Sequence, residues 1–233
     1  MGAPGQLGGS LAEYVVLPER SCYPVPENVT MEQATLAEPL AIAVYSVERA
    51  RLTGGDTAAI LGVGPVGMSL YHVLSTTAVG PVYVTDRIED RLAFARRLNP
   101  AWSGNPDRVD IVGEISAREP LLLDRVFECS GDVRAIAQGI ELLKPGGSLV
   151  IVGIPGVDQV SLPIHELRRK EITIINIRRQ VHCTRKAIDL LASRKINMDP
   201  MATHHFGLAE TEAAFDLVAG YGDGVMKAII SVT

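Results

Sequence analysis

The sequence has few cysteines and few aromatic residues, and it lacks a long hydrophobic run. Its three cysteines, Cys22, Cys129 and Cys183, show no C-x-x-C spacing, and aromatic residues make up 5% of the chain. Such a scattered set indicates reduced thiols rather than disulfides or a zinc ribbon. No segment approaches the about 20 apolar residues of a membrane span, and the N-terminus does not resemble a signal peptide. We therefore expect a cytoplasmic protein with no membrane partner.

The chain also lacks an excess of positive charge. Its formal net charge is -5, whereas a nucleic-acid surface needs a clustered basic face. The densest basic run, residues 168–170, is short enough to be an exposed helix or loop end. We therefore expect no nucleic-acid partner. With 47% hydrophobic and 21% charged residues, the composition is typical of a globular protein with a sizeable core.

Short apolar runs rich in valine and isoleucine alternate with helical patterns through the middle of the chain. The strand candidates are residues 58–63, 81–85, 125–129, 148–152 and 172–177. The helix candidates are residues 65–78, 89–98, 132–143 and 182–193. This alternation predicts an α/β, doubly wound parallel sheet that helices cover on both faces.

The two ends of the chain have their own patterns. Residues 11–18 are β-rich and end in proline, which predicts a strand. Thr30 is placed to cap a helix that begins at Met31, and Pro39 should kink or divide that helix. Between the central runs, residues 109–112 are a further strand candidate. The tail predicts a helix, a glycine-rich turn and a final strand.

Three glycines stand where a strand gives way to a helix. Gly62, Gly64 and Gly67 form G-x-G-x-x-G, and Asp86 ends the next predicted strand. This context is typical of the Rossmann dinucleotide-binding motif, in which the glycines allow a tight turn and a close backbone approach to the pyrophosphate. The phosphates then meet free N–H groups at the positive end of the helix dipole. The alternative is an ordinary turn in a doubly wound fold.

Asp86 bears on the choice of coenzyme. A carboxylate there can accept hydrogen bonds from ribose hydroxyls, but it repels a 2′-phosphate by about 4 kcal/mol for unit charges 4 Å apart at an effective dielectric constant near 20. NAD is therefore favoured over NADP. Arg87 weakens this prediction, because an arginine at that point can accommodate the extra phosphate. Asp86 could instead be a plain residue at the end of a strand.

Several segments together resemble the medium-chain, zinc-dependent alcohol dehydrogenase family. They are "ILGVGPVGMSL", "VTDRIEDRLAFARRL", "RVFECSG", "LLKPGGSLVIVGIP" and "MKAIISV". The segment "LAEPLAIAVYSVERA" is similar to the E-P-L helix of the polyol (sorbitol) and threonine dehydrogenase branch. The likeness extends from about Gly9 to the C-terminus. It implies NAD-linked hydride transfer from a secondary alcohol or polyol.

The resemblance implies a role for each matching residue. The pyrophosphate loop would be Gly62, Gly64, Pro65, Val66 and Gly67. Asp86 would bind the ribose and Arg91 would lie beside the adenosine. The cofactor cleft would be lined by Cys129 and Ser130, and the nicotinamide carboxamide would meet the backbone of Val152, Gly153 and Ile154. Arg179 matches an arginine of the polyol branch, whereas Arg178 and Gln180 depart from the aromatic residues that flank it there.

Glu38 matches the glutamate that sits at the catalytic zinc in the polyol branch, so it is the catalytic candidate. The alternative is a carboxylate on the surface of a helix. The family's other zinc ligands lie in a catalytic domain that this sequence mostly lacks, and the five histidines show no ligand-like spacing. We therefore expect zinc not to be retained, with Glu38 a vestigial candidate.

The resemblance also implies a domain organisation. Residues 1–36 would be a remnant of the β-rich catalytic domain, residues 37–199 the NAD-binding Rossmann domain, and residues 200–233 a return to the remnant. In that remnant, residues 225–232 are expected to pair with residues 11–17. The protein would be a homodimer and a truncated dehydrogenase, and the resemblance leaves open whether the chain is active alone. The alternatives are a non-catalytic NAD-binding or assembly module and a subunit whose zinc ligands come from a partner.

Overall fold

The computed structural model describes residues 9–232, and its centre is a six-stranded parallel sheet with the strand order β3-β2-β1-β4-β5-β6. The strands are β1 (Ala58–Leu61), β2 (Val82–Thr85), β3 (Trp102–Gly104), β4 (Leu123–Glu128), β5 (Leu143–Ile151) and β6 (Thr173–Asn176). All neighbouring pairs in this sheet are parallel. The predicted doubly wound α/β fold is therefore confirmed, and its order reverses between β1 and β4, where such sheets bind ligands.

Helices cover both faces of the sheet. They are α1 (Met31–Ala50), α2 (Pro65–Leu74), α3 (Glu89–Arg96), α4 (Ile111–Arg118), α5 (Val133–Leu142), α6 (Ile164–Arg169), α7 (Thr184–Ala192) and α8 (Thr211–Ala219). None of the helices within residues 9–232 has both the length and the apolar character that a membrane crossing needs. A separate two-stranded parallel sheet joins β7 (Ala202–Gly207) to β8 (Lys227–Ser231).

The core consists of two apolar layers separated by the sheet. Successive residues of β1 face opposite layers, because side chains alternate along a strand. Ile60 packs into the cluster formed with α1, α2, α3 and α7. Leu61 packs into the cluster formed with α4, α5 and α6. Burial on both faces explains why the central strands are continuous apolar runs rather than alternating ones.

Helix α1 begins as predicted but is not divided. The Thr30 hydroxyl accepts a hydrogen bond from the Gln33 amide, and the Gln33 side chain accepts one from the Thr30 amide. Of the two effects expected of Pro39, a kink or a division, the division does not occur, since α1 continues to Ala50. An interior proline costs about 3 kcal/mol. Leu36 and Leu40 beside it are fully buried, and each such leucine contributes about 1.5–3 kcal/mol.

Two strand predictions are wrong. Residues 11–18, which lie within the described chain, form no strand, and β8 pairs with β7 rather than with residues 11–17. Tyr14 and Val16 are about nine-tenths exposed there, and a β-rich segment does not become a strand without a paired neighbour. Residues 109–112 run instead into helix α4, where Ile111 and Ile115 are buried at helical spacing.

Candidate functional site

The loop after β1 contains two glycines that the packing requires. Gly62 has φ +99°, and a Cβ at this position would lie 2.8 Å from the Ser130 amide nitrogen. A Cβ on Gly67 would overlap the carbonyl oxygen of Gly62. The first glycine therefore permits the turn from β1 and the third lets α2 start close against the strand, which are the roles that the sequence pattern predicts.

Gly64 differs from these two glycines because its nearest neighbour is the end of a flexible side chain rather than backbone. It precedes α2 with φ -65°, which any residue can adopt. A Cβ built on it would meet only the guanidinium group of Arg91, with Nη1 at 3.1 Å. Gly64 has no side chain with which to cap α2, and Pro65 follows as its first residue. The N-terminus of α2 thus presents backbone amides and the positive end of the helix dipole to a ligand bound beside Gly64.

Asp86 joins the end of β2 to this glycine loop. Its Oδ2 accepts a hydrogen bond from the Val63 amide at 2.8 Å, and its Oδ1 accepts one from the Ile88 amide at 2.9 Å. The residue is only 8% exposed. A carboxylate oxygen has two lone pairs, so each oxygen can still accept a further hydrogen bond. Asp86 can therefore hold the loop and receive a hydroxyl at the same time.

Arg91 reaches over the loop from α3. Its guanidinium carbon lies 5.1 Å from the centroid of the Tyr221 ring, in a cation–π arrangement. Its Nη1 is the atom nearest to a Cβ built on Gly64. The buried Nε has no hydrogen-bond partner within the described residues. Arg91 therefore places a positive charge beside α2, and its Nε–H group is available to donate a further hydrogen bond.

Glu128 is a buried carboxylate at the end of β4 that the sequence patterns did not single out. Its Oε1 accepts hydrogen bonds from the Ser130 amide, the Ser130 hydroxyl and the Gly131 amide at 2.6–2.7 Å. Its buried Oε2 finds no partner anywhere in residues 9–232. Burial is the largest influence and raises the pKa of Glu128. The signal that could have found it is an acid closing an apolar strand, as Asp86 closes β2.

The ends of β4 and β5 meet around Glu128. Its carbonyl oxygen accepts hydrogen bonds from the Val152 and Gly153 amides at 2.8 and 2.9 Å. A Cβ on Gly131 would lie 2.5 Å from the Ile154 carbonyl oxygen, so this approach requires glycine. The structure therefore brings the predicted cleft residues of both strands together. They are Cys129, Ser130, Val152, Gly153 and Ile154.

Cys129 is packed between these strand ends and the glycine loop. Its amide donates to the Leu61 carbonyl oxygen at 2.8 Å, and its Cβ is 3.4 Å from a Cβ built on Gly67. Burial, together with the nearby Glu128 carboxylate, raises the pKa of the Cys129 thiol well above its ordinary value. The side chain is thus a neutral packing group rather than a nucleophile.

Glu38 and Arg179 share a different cavity, of about 760 Å³, with Tyr23 and Gln180 on its wall. Gln180 is fixed there, because its Oε1 accepts from the Cys183 amide at 2.7 Å and its Nε2 donates to the Thr184 hydroxyl at 3.0 Å. Glu38, the catalytic candidate, and Arg179, expected among the cofactor-binding residues, are therefore brought together by α1 and the segment after β6.

The cavity around Glu38 does not offer a complete zinc site. A catalytic zinc usually has three protein ligands drawn from thiolate, imidazole and carboxylate groups. Glu38 supplies one carboxylate, and the other polar residues that line the cavity are not such ligands: Tyr23, Arg179, Gln180 and Thr184. Across residues 9–232, no three His, Cys, Asp or Glu side chains come together in a way that could hold a metal. No chemical step through zinc is therefore assigned to these residues.

The order β3-β2-β1-β4-β5-β6, the glycine turn after β1 and the acid ending β2 define the Rossmann class of α/β folds. Comparison with known proteins narrows this class. The family model described as zinc-binding dehydrogenase matches residues 65–193. The chain belongs to the zinc-binding dehydrogenase family, as the resemblance in its sequence indicated.

Relatives and solved structures agree with this family. The chain is 30% identical over 220 residues to the sorbitol dehydrogenase of Gallus gallus, covering 93% of this chain and 61% of that one. It is 33% identical over 230 residues to "Probable D-xylulose reductase A" of Aspergillus clavatus, covering 96% and 64%. A zinc-binding dehydrogenase of Sinorhizobium meliloti 1021, solved with NADP, aligns with a TM-score of 0.88 at 25% identity, covering 97% and 66%. The chain thus spans about 60% of the length of the curated relatives it matches.

Proposed function

We propose that this chain binds NAD and forms the coenzyme-binding part of a dehydrogenase that acts on a secondary alcohol or a polyol. The observation that supports this most directly is the Asp86 carboxylate, which is hydrogen-bonded to the Val63 amide of the glycine loop beside the open N-terminus of α2. Pyrophosphate and ribose are neighbours in a dinucleotide, and the two features that suit them are neighbours here.

Different residues of the chain would bind the pyrophosphate, the ribose and the nicotinamide of the coenzyme. The pyrophosphate would lie against the loop of Gly62, Gly64, Pro65, Val66 and Gly67, with Arg91 adding a positive charge. Asp86 would accept hydrogen bonds from the adenosine ribose. The nicotinamide end would lie at the meeting of β4 and β5, where Cys129, Ser130, Val152, Gly153 and Ile154 surround the buried Glu128 carboxylate. When bound, NAD would supply the hydride acceptor.

The alcohol would enter the cavity that holds Glu38 and Arg179. A carboxylate accepts hydrogen bonds from hydroxyl groups and a guanidinium group donates to their oxygen atoms. Together they suit a substrate with several hydroxyls, and the sorbitol and xylulose names of the relatives agree with this substrate class. Gln180 lines this cavity with a polar side chain that two hydrogen bonds hold in place.

A second candidate function follows from the groups around Glu38. The other polar residues of this cavity, Tyr23, Arg179, Gln180 and Thr184, are not zinc ligands of the usual kinds. On this reading the chain binds NAD without turning over an alcohol. It would then be a non-catalytic module, or a subunit whose zinc ligands come from a partner. We further propose a cytoplasmic homodimer that pairs through β6, the edge strand of the six-stranded sheet.

Calorimetric titration of the 233-residue chain with NAD tests the proposal directly. We expect saturable binding to the parent protein and a large loss of affinity in Asp86→Ala. Metal analysis and an assay of NAD reduction with sorbitol and xylitol then separate the candidates. Binding without bound zinc and without turnover favours the module, and turnover with bound zinc favours the complete enzyme. A parent protein that takes up no NAD contradicts both.

A further inference from the structure

The residue after Asp86, Arg87, is held by an acid from a different part of the chain. The Arg87 Nε lies 2.6 Å from Asp107 Oδ2, and the other Asp107 oxygen, Oδ1, lies 3.6 Å from Arg134 Nη1. Arg134 in turn contacts the Asp132 carboxylate at 2.8 Å. Asp107 thus stands between two guanidinium groups at the carboxyl end of the sheet, next to the acid proposed to bind the ribose.

A buried asparagine places the two members of this pair. Asn105 is 6% exposed. Its Nδ2 donates to the Arg87 carbonyl oxygen at 2.9 Å, and its Oδ1 accepts from the Asp107 amide at 2.9 Å. One side chain therefore fixes the backbone of both partners. An exposed ion pair is usually weak because ordering two long side chains costs entropy, but this pair starts from backbone positions that are already fixed.

The other arginines near this corner have different contacts. Arg108 and Arg96 both pair with Glu89, at 3.2 and 3.8 Å. Arg91 lies over the Tyr221 ring. Arg87 is therefore the guanidinium group best placed, by its position directly after Asp86, to meet a substituent on the ribose.

We propose that Asp107 is a specificity-determining residue that keeps Arg87 from serving as a 2′-phosphate site and so favours NAD over NADP. The inference rests on the proposed function, since it concerns the ribose of the same nucleotide. A 2′-phosphate carries nearly two negative charges and binds best to a free, bidentate arginine. With Asp107 in place, that phosphate meets two carboxylates, Asp86 and Asp107, and a guanidinium group that is already neutralised.

The test is Asp107→Asn, which removes the charge and keeps the size of the side chain. Affinities for NAD and NADP are measured by calorimetry on the full chain, with 2′,5′-ADP and 5′-AMP as fragments that differ only in the 2′-phosphate. We expect the affinity for NADP and 2′,5′-ADP to rise about tenfold, while the affinity for NAD and 5′-AMP changes less than about twofold. Asp107→Ser provides a second variant, and circular dichroism confirms that each one folds.

Two controls assign the effect to the pair. Asp110→Asn removes the same charge from the same loop without touching Arg87, and should leave the NADP-to-NAD affinity ratio unchanged. Adding Arg87→Ala to Asp107→Asn should cancel the gain in NADP affinity. A gain that persists without Arg87, or an equal change for both coenzymes, would overturn the inference while leaving the proposed function intact. A parent protein that binds neither coenzyme would overturn both.

Discussion

The Asp86 carboxylate and the Val63 amide form a hydrogen bond of 2.8 Å that ties the end of β2 to the turn after β1. The second carboxylate oxygen accepts from the Ile88 amide at 2.9 Å, at the start of α3. The acid proposed to recognise the ribose is therefore also a structural link between the turn after β1, the end of β2 and the start of α3. Binding and folding should respond together when this side chain changes.

Replacing Asp86 should lower both stability and NAD affinity. In Asp86→Ala the Val63 and Ile88 amides lose their acceptors, and a buried unsatisfied donor costs about 1–3 kcal/mol. Asp86→Asn keeps one acceptor and should be less destabilised. Urea unfolding gives the stability and calorimetry gives the affinity. An Asp86→Ala protein as stable as the parent would contradict the structural role of this link.

Gly64→Glu should abolish nucleotide binding without unfolding the chain. Gly64 has an ordinary φ of -65°, and a Cβ built on it meets only the flexible end of Arg91, so a larger residue displaces that side chain rather than the backbone. The new carboxylate would occupy the N-terminus of α2 and repel a phosphate there. Gly64→Ala is the matched control and should retain most of the affinity. The proposed pyrophosphate site fails if calorimetry shows equal NAD binding in the glutamate variant and the parent.

Glu128 should make the protein less stable as the pH rises. Burial raises its pKa in the folded state above the ordinary value of 4.5. A raised pKa means that the folded state binds more protons than the unfolded one, so the stabilising contribution present below pH 4.5 is lost as the pH rises through the folded-state pKa. Glu128→Gln should not show this loss. The measurement is the difference in free energy of unfolding between the two proteins from pH 4.5 upwards, and a constant difference would refute the prediction.

His72 should make the protein less stable as the pH falls, which is the opposite of the effect of Glu128. Burial lowers its pKa from 6.5 to about 4, and its buried Nε2 has no hydrogen-bond partner within residues 9–232. The stabilising contribution is therefore complete above pH 6.5 and falls by about 3 kcal/mol as the pH drops through about 4. His72→Leu should lack this component. Urea unfolding of both proteins between pH 7 and pH 4 tests it, and parallel curves would show that His72 is not the cause.

The glycine turn and the central strands could be predicted because their signals are local. Burial on both faces makes β1 a continuous apolar run, and Gly62 and Gly67 are required by contacts within a few residues of the turn or across one neighbouring strand. The strand expected at residues 11–18 was wrong because the sequence shows β propensity but not a pairing partner. The domain boundaries at residues 36/37 and 199/200 stay a prediction, and the first eight residues lie outside the described chain.

Features that depend on contacts between distant residues could not be predicted from the sequence. The pairing of Arg87 with Asp107 spans 20 residues and needs the buried Asn105 side chain to position it. Strand β7 was missed because its two histidines make it polar, and each imidazole finds an acid elsewhere. His204 contacts Asp223 at 3.3 Å and His205 contacts Glu32 at 2.8 Å. No local sequence pattern indicates such partners, because they become neighbours only in the folded structure.

Because α1 continues through Pro39, one helix connects the small β7–β8 sheet to the six-stranded sheet. Near its start, Glu32 is held by His205 of β7, and at its end the Ala50 carbonyl oxygen accepts a hydrogen bond from Arg125 of β4 at 3.0 Å. Its 20 residues span about 30 Å as one stiff rod. The rod therefore joins the small β7–β8 sheet to the six-stranded sheet through one polar contact at each end, and it carries Glu38 between the two.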